Sequence, residues 1–358
     1  MFRNLYKQSG KVITELQEER RRKLLEEQKR NRLLLQDLKR GIDFSDEHNE
    51  ERKQSAPIKK SSRALQDADG TEYSLQLSEW LRERPENIDD WILVPCPKGQ
   101  RCLVVTYSGR TEMYTKAGRR RMYFPSLLPG GSGPRGSKMS TILDCVYSAG
   151  EDTFYVLDAL VYGNQELVHC EAQFRFFWLR SKFEECPELC VTNSYNKKSF
   201  KYLPRYDFEN VADISEAFQR YPFWSENIPQ LDGWLFYHKE SSYTYGTTPL
   251  VGWLFAFMVP DILGIEVNEN YERPIDYSDP IIYMDDFDAK LAGLKHKHST
   301  KSSYTTESNS LDTIEIDDEE NMDDGDNAEL FKVLNEERKL EIGEPYYRLQ
   351  VCEEELLQ

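Results

Sequence analysis

No stretch of the sequence reaches the roughly 18 consecutive apolar residues that a membrane-spanning helix needs, so no span and no membrane partner are expected. The opening residues, MFRNLYKQSGK, lack the continuous apolar core of a secretion leader. Cys96, Cys102, Cys145, Cys170, Cys186, Cys190 and Cys352 contain no C-x-x-C pair, and their spacing fits neither a zinc ribbon nor a secreted disulfide framework. They read as small buried hydrophobes in a reducing compartment. The segment SLLPGGSGPRGSK is rich in glycine but holds neither G-x-x-x-x-G-K-[ST] nor G-x-G-x-x-G, so it reads as a flexible loop rather than a phosphate cradle. His296 and His298 lack a third ligand, and Asp43, Asp46, Glu47 and Glu50 lack the spacing of a calcium loop. There is no catalytic triad and no internal repeat. No metal or cofactor is expected, and the chain reads as soluble and intracellular.

What is present is unevenly distributed. The net charge is -17 over 358 residues, yet Arg20 to Arg40 carries nine Lys/Arg against three acids, and Asp312 to Glu329 carries ten acids and no base. Such blocks mark interaction segments or solvated tails rather than core. Overall acidity therefore does not exclude a local basic pocket. The aromatic residues lie mostly between Tyr73 and Tyr277, a segment long enough to bury a substantial core.

Residues 14–40 contain no Gly or Pro and are rich in strong helix formers, with Thr14 as a cap and Gly41 as a stop. Leu24, Gln28 and Leu35 make no continuous heptad seam, and an isolated helix of this kind is marginal in water, so it is expected to order fully against a partner. Residues 75–83 read as a short helix, as do 174–184 and 214–221. Strands are expected at 91–95 and 101–107, joined by the turn Pro97-Lys98-Gly99-Gln100, and at 141–147, 153–162, 234–238 and 250–259. This is an α+β pattern with a mainly antiparallel sheet. The expected organisation is a basic helical segment at 1–60, a linker at 61–72, a folded domain at 73–278 and an acidic, mostly disordered tail at 279–358. A helix at 328–341 is a further candidate within that tail.

Eight strings in order resemble the snurportins: LSEWL (77–81), CPKGQR (96–101), YTKAG (114–118), SLLPGG (126–131), TILDC (141–145), FYVLDAL (154–160), DGWLFYHK (232–239) and TPLVGWL (248–254). The similarity covers about residues 77 to 266. Ahead of it, ERRRKLLEEQK (19–29) resembles that family's importin-β-binding segment. The same strings look like a degraded nucleotidyltransferase of the RNA-capping guanylyltransferase type. Where those enzymes carry K-x-D-G-x-R, this chain keeps Gly99 and Arg101 but has Cys96 at the nucleophile and Lys98 at the aspartate. Asp144-Cys145-Val146 stands for D-G-E, and Gly252-Trp253-Leu254 for K-W-K. A phosphoamide intermediate needs an amine nucleophile, and the transferred phosphate needs cations and metal-binding carboxylates.

The resemblance thus implies a binding module rather than an enzyme, namely an adaptor for spliceosomal U snRNPs that shuttles between cytoplasm and nucleus. It would bind the trimethylguanosine cap of snRNA and an importin-β-type receptor. An active nucleotidyltransferase or cap-processing enzyme is the alternative. Trp253 falls at the family's stacking tryptophan and Trp80 at its second tryptophan, with Leu77 and Ser78 beside the base. Lys116 and Arg101 fall at positions that meet the cap phosphates, flanked by Gln100 and Cys102, whose backbone would approach the ligand. Receptor binding would rest on Arg20, Arg21, Arg22, Lys23, Lys29, Arg30, Arg32, Lys39 and Arg40. An export receptor for recycling is also implied, although MFRNLYK matches poorly the hydrophobic stretch that engages it in the family.

Overall fold

The computed structural model describes residues 10–40, 65–66, 72–116, 118–133, 138–225 and 229–289. Contacts divide the chain into two units, Met1–Arg273 and Pro274–Gln358. In the second unit the described element is a helix over 280–289. The helix expected at 328–341, the two tail histidines and the acidic block lie outside the described residues.

The first unit is α+β and mainly antiparallel, as expected. A short pair, β1 (Leu65–Gln66) and β2 (Glu72–Tyr73), precedes two larger sheets. The five-stranded sheet runs β12 (Tyr206–Asp207), β4 (Trp91–Pro97), β13 (Leu231–His238), β14 (Gly246–Leu254), β3 (Gln76–Trp80). The seven-stranded sheet runs β10 (Gln165–Glu166), β9 (Thr153–Tyr162), β8 (Thr141–Ser148), β5 (Gln100–Tyr107), β6 (Arg110–Thr115), β7 (Arg120–Phe124), with β11 (Ser199–Tyr202) also on β9. Only β11 with β9 and β14 with β3 pair in parallel among the described strands. Helices α2 (Ala172–Glu185) and α3 (Val211–Gln219) match the expected ones, and a short α4 (Val259–Leu263) follows β14. One buried cluster joins Val94, Cys96, Leu235 and Val251 of one sheet to Val146, Tyr155 and Leu157 of the other, so the inner faces of the sheets enclose the core.

Three local expectations are corrected. Residues 76–80 form a strand and not a helix. Leu77, Trp80 and Leu81 have helical spacing, but β14 offers a ladder for them and pairing wins over local pattern. The turn after β4 does not close a hairpin: β4 pairs with β13 while β5 pairs with β6 and β8, so Lys98 and Gly99 step the chain from one sheet to the other. A Cβ at Gly99 would lie 2.5 Å from the Tyr147 carbonyl oxygen, so only glycine fits that step. The described part of SLLPGG is packed rather than loose. Ser126 and Leu128 are buried, the Gly131 N–H donates to the Leu128 carbonyl, and Thr111 and Ser126 share a hydrogen bond of 2.6 Å.

Helix α1 (Gly10–Lys39) is present, and its own chain supplies the partner. Gln17, Arg21, Leu24, Gln28, Arg32 and Leu35 form one stripe of buried or half-buried residues. The stripe is largely polar, which is why no hydrophobic seam shows in the sequence. Gln17 donates to the Trp80 carbonyl at 3.1 Å, and Arg20 forks onto Glu79 at 2.7 Å through both amino groups. Gln28 donates to Thr244 at 2.8 Å, and Arg32 to Ser242 and to the Glu240 carbonyl at 2.9 and 3.1 Å. Arg21 is 3% exposed, which is tolerable only because its guanidinium is fully engaged. It reaches Pro249 O, Gln17 and Glu18 and lies 5.1 Å over the Trp91 ring.

Burial alone would raise the Glu79 carboxyl, but hydrogen bonds from Arg20 and Gln17 outweigh it and hold it below its ordinary 4.5. A depressed carboxyl gives docking energy that is complete above pH 4.5 and lost as the pH falls through the folded value. Glu79→Gln should weaken docking by about 1 kcal/mol, the upper range for a partly exposed pair. Amide exchange of residues 17–32 at neutral pH should then rise about fivefold, and unchanged exchange would show that the Arg20 contact contributes nothing.

Candidate functional site

The facing sides of the two sheets form the walls of a candidate cleft, with Trp253 on one and Arg101, the register partner of Val146, on the other. Trp253, near the end of β14, is half-buried and packs against the cluster containing Cys96 and Val146. Its indole lies on Gly233 of β13: a Cβ built there would stand 2.5 Å from Cζ2 and 2.8 Å from Cη2 of the ring. Glycine is therefore the seat of this tryptophan. The residue sits inside DGWLFYHK, and only its size marks it in the sequence.

Trp80 is the register partner of Trp253 across β3 and β14, so the two tryptophans are neighbours on one sheet edge. Phe255 lies against both, with ring centroids 5.7 Å from Trp80 and 6.0 Å from Trp253. Sequence reasoning missed Phe255, although it stands two residues beyond Trp253. Ser78 is half-buried on β3, and Leu77 packs against the second inter-sheet cluster with Leu103, Tyr243 and Tyr114. The β3–β14 register shifts between Thr248 and Gly252, opposite Ser78 and Glu79. Side chains alternate along β3, so consecutive residues serve different neighbours, Glu79 the helix and Trp80 the aromatic cluster.

The opposite wall comes from the seven-stranded sheet. On β5, alternate side chains point to opposite faces. Arg101 shares the cleft face with Leu103, so the side chains of Gln100 and Cys102 point the other way; both are buried. Any ligand contact by these two would have to come from their main chain. Arg101 is committed within the wall: Nε and Nη2 fork onto Asp144 at 2.5 and 2.7 Å, and Nη2 also donates to the Gln76 carbonyl at 3.2 Å. Tyr243 completes the Asp144 shell, donating at 2.8 Å. Neither Asp144 nor Tyr243 was marked as a site residue. Lys116 stands exposed one residue beyond the pair Cys102↔Thr115, where β6 turns toward β7 beside the Arg101 end of β5.

Cys96 is buried among Val94, Leu235 and Tyr155. Burial pushes the thiols of Cys102 and Cys145, which face each other across β5 and β8, well up from their ordinary value. Among the described residues no group of three or more His, Cys, Asp or Glu is placed to hold a metal ion. No described helix is long and apolar enough to cross a membrane.

Of the receptor-binding candidates, Arg20, Arg21 and Arg32 face the domain, whereas Arg22, Lys23, Lys29, Arg30 and Arg40 are exposed. Lys39 closes the helix, and the position of its side chain lies outside the described residues.

A two-sheet α+β domain with two tryptophans paired beside a sheet edge is the class that fold and site define. The chain belongs to the family described as Snurportin1, m3G cap-binding domain, whose profile matches residues 74–256. Among solved structures it is similar to the ligase domain of LigD from M. tuberculosis, with 12% identity, 50% of this chain and 58% of that chain covered, and a TM-score of 0.31. It is also similar to a Lig E DNA ligase, at 13% identity, covering 51% and 68%, with a TM-score of 0.32. The DNA ligase-adenylate of Chlorella virus matches at 12%, covering 50% and 65%, with a TM-score of 0.29. The chain thus spans about three fifths of the first of these, the 58% of LigD's ligase domain.

The fit of Trp253 on Gly233 gives a direct test. Gly233→Ala should lift the indole and weaken binding of a trimethylguanosine cap analogue about tenfold, or about 1.4 kcal/mol, with a shift in tryptophan emission. Unchanged affinity would show that the ring position is not what the ligand needs.

Proposed function

We propose that the chain is a nuclear import adaptor that holds the trimethylguanosine cap of U snRNA in this cleft and offers α1 to an importin-β-type receptor, shuttling between cytoplasm and nucleus. The observation that carries the reading is Trp253 seated on Gly233 beside Trp80, within a family-matched cap-binding domain. N7 methylation leaves the guanine with a delocalised positive charge, which favours an indole face by about 1–3 kcal/mol. The two methyls on N2 remove its hydrogen-bond donors, so discrimination falls to apolar contact with Trp80, supported by Phe255 and Leu77. Ser78 hydrogen-bonds a base edge. Lys116 neutralises cap phosphate from the β6–β7 turn, and Arg101, anchored by Asp144, adds its remaining donor edge. Gln100 and Cys102 line the wall through main chain.

The cleft binds without transferring. Cys96 stands in place of the amine nucleophile and is buried among apolar side chains. On this reading the receptor must lift α1 from Glu79, Pro249 and Ser242 in order to wrap it, because Arg21 and Arg32 face inward in the docked state. Export-receptor recycling is part of the same proposal.

Trp253→Ala should weaken trimethylguanosine-cap binding by about 1–3 kcal/mol, and Trp80→Ala should chiefly reduce the preference over the monomethylated cap. Fluorescence titration checks both, and equal affinities of the wild type for the two caps would sink the reading. Incubation with labelled GTP and a divalent cation should leave no covalent label; a stable lysine adduct would make the chain an enzyme.

Alanine at Arg20, Arg21 and Arg22 together should abolish receptor binding while leaving cap affinity within about twofold, well inside the factor of ten that 1.4 kcal/mol represents. A pull-down with import receptors decides it, and normal capture by the triple variant would refute the import half of the proposal.

A further inference from the structure

In a chain of net charge -17, residues 101–140 carry eight Lys/Arg against a single acid, Glu112. That segment builds β5, β6 and β7, the outer end of the seven-stranded sheet. Glu112 has no exposed surface, and Arg110 and Arg120 reach it at 3.3 and 3.1 Å while keeping about half of their own side chains in solvent. Of these cations, Arg110, Lys116, Arg119 and Arg120 are exposed, so the outer end of the sheet presents a positive surface with its one carboxylate already covered.

Register fixes which face this is. Cross-strand partners share a face, and Leu103↔Tyr114, Val105↔Glu112 and Tyr107↔Arg110 put these residues with Arg101 on the cleft side of β5 and β6. Glu112↔Tyr123 and Tyr114↔Arg120 extend the same face onto edge strand β7. Two aromatic rings stand open on it, Tyr107 at 37% and Tyr123 at 60% exposure. Arg110 lies 4.9 Å over the Tyr107 ring and donates to its hydroxyl at 2.6 Å, which holds that ring in place. Exposed aromatic rings interleaved with guanidinium groups are what single-stranded nucleic acid uses, bases stacking on rings while cations follow the backbone. The surface is also continuous with the cleft, because Lys116 leaves β6 at the Arg101 end.

We infer that the outer end of this face, formed by Tyr107, Arg110, Arg120 and Tyr123, with Arg119 on the turn, is a track for the single-stranded RNA that follows the cap. The inference rests on the cap-binding reading and adds a second contact to it. The cleft selects the cap, and the track contributes affinity that is tolerant of sequence and sensitive to salt.

The test compares the full-length protein binding a trimethylguanosine cap dinucleotide and a ten-nucleotide RNA bearing the same cap. The capped RNA should bind about tenfold tighter at low salt, because three phosphate contacts make log affinity about 2 units steeper against log salt, at roughly 0.7 per phosphate. Arg119→Ser combined with Tyr123→Ala changes only exposed side chains outside the cap pocket. It should remove most of the tenfold advantage and most of the added slope while leaving dinucleotide affinity within about twofold, which also reports that the variant is folded. The inference is overturned if the wild type binds dinucleotide and capped RNA equally, or if the double variant keeps the advantage. Displacement of neither RNA nor dinucleotide, but capture of a polyglutamate peptide by this face alone, would reassign it to an acidic protein and overturn the inference equally. Failure of the wild type to bind the dinucleotide at all is the separate result that removes the cap reading, and the track with it.

Discussion

Asp144 and Asp158 face each other across β8 and β9 with no exposed surface, and much of the domain is arranged so that neither carboxylate is left unpaired. Arg101 forks onto Asp144, and Arg175 forks onto Asp158 at 2.8 and 2.7 Å. Arg175 also donates to the carbonyls of Cys170 and Ser241, and Tyr243 donates to Asp144 while accepting from the Gln76 N–H. Removing a partner from such a pair costs about 3–5 kcal/mol, because the remaining charge stays buried. Five parts of the chain are bound by this one requirement: β5, β8 with β9, helix α2, the start of β3, and the loop from Lys239 to Tyr245. Arg101 thus has a structural duty before any ligand arrives, and Lys116 is the exposed cation of the pair.

The Lys239–Tyr245 loop extends that requirement outward. Its Ser241 and Tyr243 close the buried network, while Glu240, Ser242 and Thr244 between them receive Arg32 and Gln28 of α1. Alternation along one short segment gives it an inner and an outer set of contacts. At the other end of the helix the arrangement repeats, with Glu79 holding Arg20 and the adjacent Trp80 lying against Phe255. The docked helix therefore rests on the same two segments that frame the cleft.

How far these features were legible depended on where the information lay. The strands 141–148, 153–162 and 231–238 announce themselves by apolar and β-branched runs, and helix α3 by its amphipathic period. Trp253 and Trp80 were found through neighbouring motif letters, but Gly233 and Phe255, which position them, carry no chemistry that a sequence pattern reveals. Residues 76–80 were misread because helical spacing of Leu77, Trp80 and Leu81 is a local signal, whereas the β14 ladder that overrides it lies about 170 residues away, opposite Gly246–Trp253. The seat of α1 was illegible for a different reason. Its acceptors include the carbonyls of Trp80, Pro249 and Glu240, and backbone groups have no residue identity to read. The polar stripe Gln17, Arg21, Gln28 and Arg32 looked like a failed hydrophobic seam because hydrogen bonds, not apolar area, hold it.

The same geometry constrains how an import receptor would meet the helix. The docked state turns Gln17, Arg21 and Arg32 inward and leaves Arg22, Lys23, Lys29 and Arg30 in solvent. Lys23 and Arg22 meet Glu19 and Glu26 of the same helix there, in exposed pairs that solvent screens. An acidic receptor surface can therefore take the outer row at almost no cost before the inner row is disturbed. On the import proposal, lifting the inner row would remove Arg21 from Pro249 and Trp91 and Arg20 from Glu79, and a receptor would have to replace each of those contacts. Wrapping the helix is the arrangement that supplies both sets, since a flat acidic surface would satisfy the outer row alone and leave the helix docked.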